Sequence, residues 1–289
     1  MKHWETTDPE WGRILHLSDG KTEVSAALDF GIRVVGLSAA GEPNLFYRQP
    51  EDDQEYRTPK GWRLYGGHRL WTAPEGDWSY YPDNAPVSWE LSEEGVSLEQ
   101  ADPWLRITKR LTLAFQPDGW IRVEHRVSNT DVKPISCGVW GVSTLSAGGS
   151  MEVSLLPAGE DDYAPGRMVQ LWGKTSLSDP RIRMEGDRLL LQQMPSDAFF
   201  KIGLYTSRGE AVYRNHGQRF TCRFGSGEAP YPDGGCNFEA FLSSTMMELE
   251  TLGGLCTLLP GEERTHTEFW QVEPEDSERT KSNEDHINV

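Results

Sequence analysis

Residues 104-WLRITKRLTLAFQPDGWIRVEHRVSN-129 decide how the rest of the chain reads. Leu105, Ile107, Leu111 and Leu113 alternate with polar neighbours, and Ile121, Val123, His125 and Val127 alternate with Arg122, Glu124 and Arg126. A period of two is the signature of a pleated strand with one buried face. QPDG at 116–119 supplies the turn, so the pair is an antiparallel hairpin. The same reading predicts strands over 22–30, 31–38, 87–92, 95–100, 135–144, 181–185, 188–193, 199–205, 211–215, 219–224, 245–252 and 263–272. EGD at 185–187 closes a second hairpin, and no segment keeps helical spacing for three turns. A dozen or more short strands joined by turns predict an all-β antiparallel sandwich or barrel. The 29 Gly and 18 Pro suit the many turns, and 37% hydrophobic residues suffice for a sizeable core. With no linker or fixed-period repeat, residues 1–272 read as one domain and 273–289 as a polar, flexible tail.

The formal net charge of −17 sets the chain against duplex nucleic acid and anionic membranes. No window approaches the roughly 20 apolar residues of a membrane helix. The start, MKHWETTDPEWGR, lacks the apolar core of a signal peptide. Cys137, Cys222, Cys236 and Cys256 are dispersed with no CxxC pair, which gives no zinc signature and points to a cytoplasmic protein with reduced thiols. P-loop, GxGxxG, GxSxG and HExxH patterns are missing, so neither a cofactor nor a metal is expected. Composition does not specify an oligomeric state.

Four segments gather chemistry. The first, 61-GWRLYGGHRLWTAPEGDWSYYPDNAP-86, has no helical spacing and reads as a loop. Trp62, Tyr65, Trp71, Trp78, Tyr80, Tyr81 and Trp89 crowd it and its flank. Aromatic faces stack on sugar rings, though the same rings also pin long loops to a core. His68 can titrate near neutrality and Arg69 offers a fixed fork of donors, while Glu75, Asp77, Asp83 and Asn84 can bond hydroxyls. The second is 245-TMMELETLGG-254, where Glu248 and Glu250 share one strand face. Such a pair can supply a general base or acid, or be matched by Arg264 and His266 on a neighbouring strand. In the third, 264-RTHTEFW-270, His266 and Glu268 make half a metal site without a second half, so a cross-strand ion-pair ladder is expected. In the fourth, 231-YPDGGCNFEAF-241, Asp233, Asn237 and Glu239 line a pocket or build a turn. His125 reads as a satisfied core histidine.

The succession 31-GIRVVGLS-38, 44-NLFYR-48, 66-GGHRLWTAPE-75, 128-SNT-130, 248-ELET-251, 258-LLPGE-262 and 266-HTEFW-270 resembles the galactose-mutarotase-like, aldose 1-epimerase superfamily over about residues 20–272. The resemblance implies a large antiparallel β-sandwich, the supersandwich, with a sugar cleft on a concave sheet and a small carbohydrate as partner. It implies mutarotase or epimerase activity, in which a late glutamate takes the anomeric hydroxyl's proton and a histidine protonates the ring oxygen. The glutamate matches Glu250, with Glu248 its neighbour. The histidines match less well: Trp140 stands where one would follow the SNT turn, and His68, nearest the expected cleft, occupies a different slot. The residues therefore predict catalysis by Glu250, Glu248 and His68, with substrate held by Arg69, Trp71, Glu75, Trp78, Asp83, Asn84, Trp140, Asn237 and Glu239. Non-catalytic carbohydrate binding in the same fold is the alternative, and a sugar lyase or hydrolase built on paired carboxylates is a second.

Overall fold

The computed structural model describes residues 1–155, 167–227 and 230–275. The decisive hairpin forms as predicted: Ile107–Phe115 pairs antiparallel with Ile121–Asn129, and burial alternates residue by residue along the second strand. Around it lies a sheet ordered Ile182–Glu185, Arg188–Gln192, Ser150–Ser154, Glu210–Asn215, Gln218–Phe224, Glu263–Pro274, Ile121–Asn129, Ile107–Phe115, Gly95–Asp102 and Ser88–Leu91. A second sheet faces it, ordered Lys2–Asp8, Gly12–Ser18, Thr22–Ala27, Arg33–Ala39, Gly67–Ala73, Ile135–Leu145, Met247–Leu252, Phe238–Leu242, Phe200–Leu204 and Val169–Leu171. Cys256–Leu258 pairs with the start of Ile135–Leu145. The main core lies between the sheets, with Leu15, Val34, Leu111, Val123, Phe220 and Trp270 among its buried members. Among the described residues no helix is long and apolar enough to cross a membrane, and all four cysteines are free.

Two features position the site. Ile135–Leu145 and Met247–Leu252, at the centre of the second sheet, are buried on both faces. A second apolar cluster covers their outer side, built from Trp62, Leu64, Trp71, Trp140, Val142 and Met246. Part of the aromatic run is therefore packing: Trp62 lies edge-on to Tyr80 at 5.1 Å, and Trp71 to Trp140 at 5.5 Å.

The structure also corrects the reading of 61–86 as a loop, over residues 67–73. Gly67–Ala73 is an interior strand, paired on one side with Arg33–Ala39 and on the other with Ile135–Leu145. Beyond it Asp77–Tyr80 forms a short 3₁₀ turn, and residues 74–76 and 81–87 belong to no strand. Gly67 enters the strand at φ +71°, where a Cβ would lie 2.3 Å from the Val34 carbonyl oxygen, so backbone fills the space of a side chain. The N-terminal hairpin, Lys2–Asp8 with Gly12–Ser18, is an addition that the alternation did not predict. The final strand runs to Pro274, two residues into the expected tail, and residues 276–289 lie outside the described residues.

Candidate functional site

Strand parity sorts the candidates. In Gly67–Ala73, Arg69 and Trp71 point to the outer face of the second sheet, while His68 points between the sheets. Trp140 on Ile135–Leu145 and Glu248 and Glu250 on Met247–Leu252 share the outer face. With Lys201 from Phe200–Leu204 they floor a cleft of about 370 Å³. Its walls are largely aromatic: Tyr56, Tyr80, Trp172, Phe199 and Phe241. Glu75 closes one side, bonded to the Tyr80 hydroxyl.

The floor carries two ionic groups. In the first, Arg69 Nη1 donates to Glu248 Oε1 at 3.0 Å, and the Thr144 hydroxyl donates to the same oxygen at 3.0 Å. The Arg69 guanidinium also lies 4.3 Å from the Trp71 ring centroid. In the second, Lys201 Nζ sits 2.9 Å from Glu239 Oε2, 3.2 Å from Glu250 Oε2 and 3.8 Å from Glu75 Oε2. It lies 5.0 Å from the ring centroids of Trp140 and Trp172. Burial alone would lower the Lys201 pKa, but Glu250, Glu239 and Glu75 outweigh it and hold the ammonium protonated. Burial pushes Glu239 and Glu250 above the ordinary carboxylate range; Lys201 opposes the rise, and each has acidic neighbours that add to it. Glu250 is 1% exposed, and its Oε1 is buried with no hydrogen-bond partner although the residue lines the cleft. A buried acceptor without a partner carries a desolvation cost that a donor from a bound ligand removes.

Of the residues singled out in the sequence, Arg69, Trp71, Glu75, Trp140, Glu248 and Glu250 meet in this cleft. Glu239 stands behind them as a partner of Lys201. The others fall elsewhere. His68 is fully buried between the sheets, with Nε2 2.6 Å from His125 Nε2 and Nδ1 2.8 Å from Ser143 Oγ. Burial, with His125, Arg69 and His266 nearby, holds it well below the usual imidazole range. A neutral ring on the far side of the sheet cannot reach a ligand in the cleft, so His68 is not its acid. Asp83 is taken by Arg33 in an ion pair of 2.9 Å, and Asn84 donates to the Gly61 carbonyl at 2.9 Å. Asn237 braces a turn, accepting from the Thr206 amide and donating to the Thr206 carbonyl, each at 2.8 Å. Trp78 is 47% exposed and lines a separate crevice with Asp83 and Lys109. The expected ion-pair ladder on 264–270 is also absent from its place: His266 and Glu268 are buried and bond to Thr251, while Arg264 is exposed. Sequence reasoning missed Lys201 as the hub, along with Tyr56, Trp172, Phe199 and Phe241. Their only local signal was a lysine set among apolar residues in 199-FFKIGLY-205.

No family model matches the chain, and no curated protein matches it. Solved structures do. A galactose mutarotase-like protein from Lactobacillus casei superposes with a TM-score of 0.59 at 13% identity, covering 90% of this chain and 100% of that one. A galactose mutarotase related enzyme from Lactobacillus acidophilus gives 0.54 at 10% identity, with 91% and 98% covered. A galactose mutarotase-like protein from Clostridium acetobutylicum gives 0.54 at 11%, with 94% and 100% covered. At these identities the likeness establishes the fold, the galactose-mutarotase-like β-sandwich, and leaves activity to be argued from the site.

Proposed function

We propose that this chain binds an uncharged aldose in the Trp71–Trp140–Trp172 cleft and interconverts its anomers, with Glu250 as the proton acceptor. The observation that carries the reading is the unpartnered, buried Oε1 of Glu250 on the floor of an aromatic-walled cleft. A carboxylate raised toward neutrality by burial is matched to general-base work at neutral pH. Oε1 takes the proton of the anomeric hydroxyl, the ring C–O bond breaks as the carbonyl forms, and the ring oxygen needs a proton. Among the described residues the cleft lining holds no histidine. We assign that donor to Lys201, whose ammonium lies 3.2 Å from Glu250; the proton gained by Glu250 replaces the one given up by Lys201. Bond rotation and reclosure complete the exchange. Three lining carboxylates, Glu75, Glu248 and Glu250, face Arg69 and Lys201, whose charges they already engage, which favours a neutral sugar over a phosphorylated one. The volume of about 370 Å³ is in the range of small-ligand sites. The four free thiols agree with a cytoplasmic setting.

The test is saturation-transfer NMR or polarimetry on a panel of neutral aldoses, with calorimetry on the same sugars. E250Q keeps the fold and loses roughly 10²- to 10⁴-fold in exchange rate. The missing cleft histidine favours one second reading, sugar binding without chemistry. Binding with no acceleration selects that reading; acceleration unaffected by E250Q removes Glu250 from its role.

A further inference from the structure

The inner face of the same strands carries a cluster that the cleft does not use. His68, from Gly67–Ala73, and His125, from Ile121–Asn129, meet across the two sheets with Nε2 atoms 2.6 Å apart. Glu268, from Glu263–Pro274, completes a trio whose donor atoms all lie within 4.8 Å of one another. All three side chains are fully buried. His125 Nδ1 lies 3.2 Å from the His266 carbonyl, which can only accept, so Nδ1 carries the proton and Nε2 presents a lone pair. His68 Nδ1 is backed by Ser143 Oγ at 2.8 Å. Glu268 accepts from Trp270 Nε1 at 2.6 Å and from the Thr251 hydroxyl, and neither partner is a cation. Imidazoles held from behind by oxygens, beside a carboxylate that is itself hydrogen-bonded, have the outer support found around metal ligands.

Gly141 keeps this point open. A Cβ there would lie 2.6 Å from Glu268 Oε1, 3.1 Å from His125 Nε2 and 3.3 Å from His68 Cε1. The sequence shows only half a site in 266-HTE-268; the other donors come from strands about 140 and 200 residues away, where no spacing rule reaches.

We propose that His68, His125 and Glu268 bind one divalent ion of the zinc class, clasping the two sheets together. Two imidazoles and a carboxylate are a zinc-type donor set. Metal–ligand bonds of about 2.0–2.1 Å place tetrahedral donors about 3.4 Å apart, so the two rings separate by roughly 0.8 Å from their 2.6 Å contact. His68 keeps one proton throughout: on Nε2 toward His125 without the ion, on Nδ1 toward Ser143 with it. The Thr251 hydroxyl, bonded to Glu268, holds that carboxylate in place.

Because the trio is sealed from solvent, the test loads the ion during folding. The full chain is unfolded with a chelator, refolded with zinc sulfate or with chelator alone, dialysed, and assayed for bound metal and thermal midpoint. The expected result is one zinc per chain in the wild type, a higher midpoint than the chelator-refolded protein, and metal retention lowered at least roughly tenfold in H125Q and E268Q. Refolding with cobalt gives the intense visible absorption of a four-coordinate ion, lost in both variants. Should H125Q not fold, E268Q decides, since the amide keeps the shape and an acceptor for Trp270. Folded wild type without stoichiometric zinc, or with zinc that E268Q retains equally, overturns the proposal. Neither readout depends on sugar turnover.

Discussion

The two faces of the central strands differ by one residue in sequence and by the whole of their chemistry. Arg69, Glu248 and Glu250 face outward, where Arg69 and Lys201 balance the carboxylates and the walls are aromatic. His68, Ser143 and Thr251, each adjacent in sequence to a cleft or cleft-side residue, face inward to His125, His266 and Glu268. Burial acts on both sides, but only the outer face brings cations to its acids. There an orphan oxygen can remain charged beside an ammonium. Inside, imidazoles stay neutral, with burial lowering the pKa of His125 to about 3 and that of His266 to about 4. The contrast teaches that depth alone does not make a reactive group; a cation within hydrogen-bond reach separates the cleft from the interior.

The sharpest way to break this contrast is to remove that cation. An opposite charge within roughly 4–6 Å lowers a carboxylate pKa by about 1–3 units. K201M removes the charge 3.2 Å from Glu250, so the protonated form gains and the pKa rises further. The acid limb of the pH–rate profile therefore moves up by about 1–3 units. Near neutrality the turnover falls by roughly 10²-fold or more, because the donor to the ring oxygen is lost as well, and only the part due to the raised Glu250 pKa recovers as the pH is raised. A limb that stays in place shows that Lys201 does not set the base.

The same contrast explains what was legible in the sequence. The hairpin 104–129 could be read because one face is buried and the other wet, so alternation survives. Gly67–Ala73 could not, because both faces are covered and the pattern is erased. Once that segment reads as a loop, His68 and Arg69 seem free to share a cleft; in a strand, adjacent residues cannot. Glu248 and Glu250 were legible because their spacing of two survives any packing. Lys201 was not, because its meaning lies in Glu75, Glu239 and Glu250, each from a separate part of the chain. His266 and Glu268 were seen as half a site for the same reason: their complement belongs to the opposing sheet.

A smaller effect probes the interior face alone. G141A inserts a methyl group 2.6 Å from Glu268 Oε1 in a packed region. Overpacking of this kind costs about 1–3 kcal/mol. Denaturant titration should show that loss in G141A, while sugar exchange per folded molecule stays within about twofold of the wild type. Unchanged stability would mean that the inner cluster is looser than its distances require.

The finest comparison uses two neighbouring residues on Ile135–Leu145. Ser143 Oγ backs His68 Nδ1 at 2.8 Å on the inner face, whereas Thr144 Oγ1 bonds Glu248 at 3.0 Å and receives Arg69 at 3.1 Å on the outer. S143A removes a neutral hydrogen bond worth about 1 kcal/mol in net stability, and T144V removes charge-assisted ones worth about 1.5–3 kcal/mol. Both variants should lose stability, T144V more, and only one should lose function. S143A leaves sugar affinity and KM unchanged, because nothing on its face touches the cleft. T144V frees Glu248 and Arg69 to shift, and weakens sugar binding by roughly three- to tenfold in calorimetry. If both variants, or neither, alter binding, the sheet does not insulate one face from the other, and the assignment of a separate role to each face fails.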